Sequence, residues 1–412
     1  MDGLMRDPAA RFLPYGRQAI DEADIAAVAA VLRSPYLTTG PAVGAFESAL
    51  AETLDVPYAV SCANGTAALH LACLALGLGP GDAAIVPSIT FVATANAARM
   101  TGAEIVFADV DPDSGLMGRG DFVAALARAE AAGLRVRAVF PVHLAGQCCA
   151  MREIAEIARE CGIAIVEDAC HALGGGYDPG GTVPVGSCHE SDLTVFSFHP
   201  VKNVATGEGG AVATRDPALA GRLARLRSHG LVREPDLFQR AEMGFDPNGV
   251  ANPWYYEMPE IGWNYRLSDI QAALGTSQLG KLGQFVAERS RLAALYDAAL
   301  VPLAGAVVPI ARNATCRSAW HLYAVLIDFA GLGLSRAALM RRLREGGVGT
   351  QVHYIPVHRQ PYYRERYGSA ELPGADRYYA RTLSLPLFVG MTGREVEHVA
   401  ATLAEAIGEL AE

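Results

Sequence analysis

Short runs that are apolar almost end to end recur along this chain, and most lead into a stretch with helical spacing. YAVSCA (58–63) precedes TAALHLACLALG, AAIVPS (83–88) precedes FVATANAARMTG, and VRAVFPVHLAG (136–146) precedes MREIAEIAREC. EIVFADV (104–110), IAIVEDA (163–169), LTVFSFH (193–199) and GGAVAT (209–214) complete the series. A strand with one wet face alternates polar and apolar residues. A strand apolar on both faces must be covered on both, as in parallel sheets flanked by helices. The pattern predicts an α/β fold with a mostly parallel seven-stranded sheet in a large domain.

Past a helix over 217–230 the character changes. Residues 231–262 are rich in Gly, Pro, Asn and aromatics and read as a long irregular connection. A long helical stretch follows over about 268–300. From 318 to 412, strands such as HLYAVLIDF (321–329) alternate with helices such as SRAALMRRLREGG (335–347), which reads as a smaller α+β domain. We divide the chain into a large domain, 1–255, and a small C-terminal domain, 256–412.

The 412 residues suffice for two or three domains and ample core. A net charge of −10 without a basic run argues against nucleic-acid partners. No stretch of about 18 uncharged apolar residues predicts a membrane helix. The opening MDGLMRDPAARFLPYGRQAID has no apolar h-region, so no secretory leader is expected. Eight cysteines with no C-x-x-C predict reduced, mostly buried thiols and a cytoplasmic protein.

The first strand is followed by CANGTAALH, not by the G-x-G-x-x-G of a dinucleotide site. Asn64, Gly65 and Thr66 open a helix directly after that strand. Free amides and a partial positive charge there favour a phosphate, although the same residues also suit a plain helix cap. Asp168 ends an apolar strand, where open α/β sheets gather ligands, and Glu167 alternates to the other side. His171 lies three residues on, beside a ligand or capping the turn. Lys202, in FSFHPVKN, sits between two apolar runs. An amine in a dry site loses its proton more readily and can form a Schiff base with a carbonyl. The cofactor that uses a lysine in this way also needs a carboxylate for its pyridinium nitrogen and a cradle for its phosphate. Lys202, Asp168, and Gly65 with Thr66 and Ser197 supply the three parts. Phe91, in SITFVATANA, follows another strand end and can lie flat on a ring.

HYIPVH places His353 and His358 five apart in a proline-broken stretch. That spacing suits neither a helical metal pair nor H-E-x-x-H, so no metal site is expected. Hydrogen bonding to a diphosphate or hydroxyl and a structural role both stay open. PWYYEM (253–258) reads as core or interface packing, with nucleotide stacking as the sharper option.

VEDACHALGG, FSFHPVKN with EGGAVAT, GWNYRLSDIQAALG and VHYIPVHRQPYY together resemble the DegT/DnrJ/EryC1/StrS sugar aminotransferases. That family is a branch of the fold type I enzymes that use pyridoxal 5'-phosphate. The resemblance runs from about Phe12 to about Met391. It implies that Lys202 carries the cofactor as an imine and later shuttles a proton, and that Asp168 pairs with the ring nitrogen. It implies a phosphate site made of Ser197 and the amides of Thr66 and Ala67 beside Gly65, with Phe91 on the ring and His171 nearby. It further implies a homodimer with shared sites, Asn264 reaching the phosphate of the neighbouring subunit.

Within the family, FLPYGRQAIDEADI, LTTGP, RLRSHGLVRE, PWYYEMPEIGWNYRLSDIQ, VGTQVHYIPVH and LSLPLF resemble the branch that serves pseudaminic acid synthesis. This implies transfer from L-glutamate to carbon 4 of a UDP-linked 4-keto-6-deoxy-2-acetamido-L-sugar. The product implied is UDP-4-amino-4,6-dideoxy-N-acetyl-β-L-altrosamine. Substrate contacts would come from Tyr15, Pro35, Tyr36, Leu37, Thr38, Asn264, Gln351, Val352, His353 and Tyr354. Other members aminate D-configured 4-keto or 3-keto sugars. Related dehydratases carry histidine in place of the lysine, and Lys202 argues against that activity.

Overall fold

The seven apolar runs pair into one sheet: β1 (Tyr58–Cys62), β2 (Asp82–Pro87), β3 (Glu104–Ala108), β4 (Arg135–Val139), β5 (Ala164–Asp168), β6 (Leu193–Ser197) and β7 (Gly210–Thr214). In this computed structural model, which describes residues 12–411, their order is β1-β7-β6-β5-β4-β2-β3. The first eleven residues of the opening segment read above for a leader lie outside the described residues. Pairing is parallel from β3 through β2, β4 and β5 to β6. β7 runs antiparallel to both of its neighbours. Its link from β6, residues 198–209, contains no helix, and a parallel return requires a longer crossover.

That reversal gathers the chemistry at one edge. Gly210, the first residue of β7, is in register with Ser197 at the end of β6 and Cys62 at the end of β1. Asp168, at the end of β5, pairs beside Val195 on the same edge. β2 is buried along its whole length. Helices cover both faces. Met151–Cys161 shows how: Met151, Ile154, Ala155, Ile157 and Ala158 are its buried residues, at helical spacing. Burying the Ile154 side chain alone contributes about 1.5–3 kcal/mol.

Three sequence expectations shift at their ends. The run 136–146 is strand only as far as Val139. Pro141 has no amide for a ladder, and the chain turns through Leu144–Gly146, with Ala145 left-handed at φ 59°. The stretch 268–300 is two helices, Asp269–Leu279 and Leu282–Ala299, the first started by a capping box between Ser268 and Gln271. The helix at 217–230 stops at Leu226, and His229 and Gly230 turn the chain with φ of 64° and 70°.

A second sheet, antiparallel in the order β10-β9-β8, holds β8 (Val307–Pro309), β9 (Tyr323–Ile327) and β10 (Thr382–Leu385). Its core joins Val325 and Leu383 to Leu292, Tyr296, Leu343, Val396 and Leu403 of the helices around it. Leu13 belongs to this core and bridges to Val348. The eight cysteines are free thiols, five of them buried and Cys161 exposed. Among the described residues, no helix is long and apolar enough to cross a membrane.

Candidate active site

A cavity of about 820 Å³ opens at the edge where β1, β5 and β6 end. Thirteen of the residues singled out in the sequence line it: Tyr15, Gly65, Thr66, Ala67, Phe91, Asp168, His171, Ser197, Lys202, Gln351, Val352, His353 and Tyr354. They arrive from the ends of separate strands, from the β6–β7 link and from the HYIPVH segment, so the fold assembles them.

Lys202 stands in a turn closed by its own amide, which donates to the His199 carbonyl at 2.8 Å. Among the described residues its ammonium has no ion-pair or hydrogen-bond partner. Burial pulls its pKa below the ordinary lysine value, and the nearby Cys170 and Asp168 offset this only in part. The cavity thus holds an amine that gives up its proton more readily than an exposed lysine.

Asp168 is nearly enclosed and fully hydrogen-bonded on its protein side. Its Oδ2 accepts from the Thr94 hydroxyl at 2.7 Å and its Oδ1 from the Cys170 amide at 3.2 Å. Glu167, one residue earlier, projects to the opposite face, as strand alternation requires. There it bonds His143 at 2.6 Å and also Tyr177, Ser191 and Thr194.

The phosphate cradle depends on two close approaches. A Cβ on Gly65 would lie 2.8 Å from the Ser197 Cβ and 3.1 Å from its Oγ. A Cβ on Gly210 would lie 2.4 Å from the Asn64 carbonyl oxygen. Glycine at both positions lets the helix Gly65–Ala75 start directly against the ends of β6 and β7. Asn64 caps this helix by accepting the Ala67 amide at 2.8 Å, so that amide is already taken. Among the described residues the amides of Gly65 and Thr66 have no hydrogen-bond acceptor, and both residues line the cavity beside Ser197.

His171 is held by its surroundings. Its Nδ1 accepts the Ala145 amide at 3.3 Å, which puts the ring proton on Nε2, 3.0 Å from the Tyr354 hydroxyl. Its ring lies 4.2 Å from that of His321. Burial drives His171 and His321 well below the usual histidine pKa, and burial with the Lys202 charge holds His353 down to about 3. His353 Nδ1 meets the Ser384 hydroxyl at 2.8 Å, and His358 meets Ser88 at 2.6 Å. Phe91 is 56% exposed and faces the cavity, its ring 6.0 Å from that of Tyr354.

The structure leaves five predicted residues outside this cavity. Asn264 is exposed where its backbone bridges to Ser228. Pro35, Tyr36, Leu37 and Thr38 are exposed on a loop held by Asp269, whose amide donates to the Leu37 carbonyl at 3.0 Å. Sequence reasoning missed Thr90 and Thr94. Their spacing of four across a helix start was the available signal, overshadowed by Phe91 between them.

The donor set fits pyridoxal phosphate: an unpartnered amine, an anchored carboxylate, and a cradle that a single Cβ would fill. Comparison with known proteins agrees. Residues 18–404 match the DegT/DnrJ/EryC1/StrS aminotransferase family. The chain is similar to Helicobacter pylori PseC, an aminotransferase involved in the biosynthesis of pseudoaminic acid, at 28% identity and a TM-score of 0.85, over 97% of this chain and 100% of that one. It is similar to the aminotransferase TlmJ of Streptoalloteichus hindustanus at 32% identity and a TM-score of 0.84, over 97% and 100% of the two chains. It is also similar to Spr1654 of Streptococcus pneumoniae, solved in a PLP form, at 26% identity and a TM-score of 0.84, over 97% and 99%.

Proposed function

The chain belongs to the DegT/DnrJ/EryC1/StrS aminotransferase family, and from that premise we propose that it aminates carbon 4 of a UDP-linked 4-keto-6-deoxy-2-acetamido-L-sugar. L-Glutamate is the proposed donor and UDP-4-amino-4,6-dideoxy-N-acetyl-β-L-altrosamine the product, within pseudaminic acid synthesis. That it is a sugar aminotransferase dependent on pyridoxal phosphate follows from the family. The observation that carries the reading is an unpartnered Lys202 amine sharing one cavity with Asp168 and a glycine-built phosphate cradle. The choice of sugar is supported by the likeness to PseC and by the sequence stretches shared with that branch. A second reading is another keto nucleotide sugar, since the identity to PseC is 28%.

When bound, pyridoxal phosphate supplies an electron sink for the carbon that gives up its proton. The chain supplies the rest. Asp168 would face the ring nitrogen with its carboxylate, in a site shielded from water where a charge acts strongly. Ser197 and the amides of Gly65 and Thr66 would hold the phosphate. Phe91 would pack on the ring. Lys202 would hold the cofactor, and its Nζ would take and return the proton at the reacting carbon. Burial lowers its pKa from the ordinary lysine value, which favours that role.

We extend the proposal to a homodimer in a reducing cytoplasm. No arginine lines the cavity among the described residues, while the substrates bring a diphosphate and carboxylates. Asn264 and the loop Pro35–Thr38 lie exposed and free to reach a neighbouring copy. Val250, Trp254, Tyr256, Met258 and Ile261 expose more than half of their surface along one segment, as an interface segment does.

The test offers purified protein, pyridoxal phosphate and glutamate a panel of keto nucleotide sugars, with the new amine's position and configuration read by NMR. Amination of only D-configured or 3-keto sugars overturns the proposed substrate.

A further inference from the structure

Asp168 does not hold its place alone. Thr94 lies in the helix Val92–Met100, is fully buried, and points its hydroxyl at Asp168 Oδ2, 2.7 Å away. The same hydroxyl lies 3.2 Å from the Phe91 carbonyl and 2.8 Å from the Thr90 hydroxyl. A hydroxyl has one proton. The charged acceptor at the shorter distance takes it, since hydrogen bonds to ionised groups are the stronger ones. Thr94 therefore donates to Asp168, and Thr90, itself buried, must donate to Thr94. The order Thr90 to Thr94 to Asp168 is fixed by proton count. Each donor in such a chain polarises the next.

We propose that Thr94, seconded by Thr90, is the positioning residue that aims the Asp168 carboxylate into the cavity. With Oδ2 claimed by Thr94 and Oδ1 by the Cys170 amide, rotation of the carboxylate about its Cβ–Cγ bond is blocked. Both residues line the cavity. The inference rests on the proposed role of Asp168 against the ring nitrogen. It adds that the orientation of this anion is set by an adjoining helix and not by β5 alone. It also ties the anion to Phe91, because Thr90, Phe91 and Thr94 belong to one helix start. The same turn thus carries the ring cover and the support of the carboxylate.

The test compares loaded wild type, Thr94→Val, Thr94→Ser, Asp168→Asn and the double variant Asp168→Asn/Thr94→Val. Valine keeps the shape and removes the proton. Thr94→Val should slow transamination by about ten- to a hundredfold, the range for losing a hydrogen bond to a charged group. Its visible cofactor band should move in the same direction as that of Asp168→Asn, by less. Thr94→Ser should restore both. The double variant should match Asp168→Asn, because Thr94 acts only through that carboxylate. An unshifted band and a rate within twofold of wild type in Thr94→Val, beside an impaired Asp168→Asn, overturn the role of Thr94. Wild-type behaviour in Asp168→Asn overturns the reading beneath it. If Thr94→Val fails to fold, Thr90→Val, which removes only the outer donor, must show the same band shift in smaller degree.

Discussion

Taking this protein from about pH 7 to about pH 5 should remove a large part of its stability, because of three histidines around Lys202. His171, His321 and His353 are buried, with the rings of the first two 4.2 Å apart. In the unfolded chain each takes a proton near pH 6.5. In the folded chain burial opposes that proton first; for His353 and His171 the Lys202 charge adds to it, and for His321 the neighbouring His171 does so as well. His353 is held down to about 3. Below about 6.5 the unfolded state therefore binds protons that the folded state refuses, so stability falls as pH falls. Each such group costs about 1.4 kcal/mol per pH unit. Integrated from about pH 7 to about pH 5, this is roughly 2 kcal/mol per ring and roughly 6 kcal/mol for the three. A domain's whole stability is about 5–15 kcal/mol, so the loss is decisive. Glu104, held down to about 2 by Arg366, stays ionised across this window and does not contribute to the slope. Urea unfolding at both pH values measures the loss, and the histidine ring resonances assign it. The rings of His171, His321 and His353 should stay silent between those pH values in the folded protein. His353→Asn should flatten the dependence by about a third. A urea midpoint unmoved by acid, or ring signals from all three titrating near pH 6.5, would refute the argument.

Three further outcomes are expected. Lys202→Ala should lose both amino transfer and the visible absorbance of the tethered cofactor; retention of either removes this amine from its assigned place. Gly65→Ala should cost about 1–3 kcal/mol through overpacking against Ser197, and weaken cofactor retention, as followed by unfolding and cofactor titration; unchanged affinity would move the phosphate elsewhere. Light scattering of the active protein should give twice the mass of one chain, and full activity at the single-chain mass would end the shared-site proposal.

The strands were legible because burial on both faces leaves almost no polar residue inside them, as in β2 and β7. The residues at their ends were legible for a related reason. A lysine, an aspartate or an Asn-Gly-Thr set next to such a run stands out, and the fold places these at one edge. Less legible was what depends on close contact between distant segments. Nothing local to Thr94 announces that it faces a carboxylate 74 residues away. The sequence allowed both a phosphate site and a plain cap at Asn64, and the structure shows the cap taking the amide of Ala67. The run 136–146 misled because most of its apolar residues are buried, while the regular ladder ends at Val139 and past Pro141 the described residues add a single bridge, Val142 to Asp168. Burial explains the composition of both halves; hydrogen-bond geometry separates them.

The reversal of β7 has an engineering consequence. Because the chain returns at once beside β6, the segment bearing Lys202 is a loop pinned at both feet by adjacent ladders. Lengthening a surface loop is thermodynamically cheap, each doubling costing about 0.6 kcal/mol. This link is not one, because Phe198, Val204 and Ala205 between its feet are buried in the core. An insertion that moved the amine off its acid would also disturb that packing, so the position of Lys202 and the soundness of this sheet edge are inherited together.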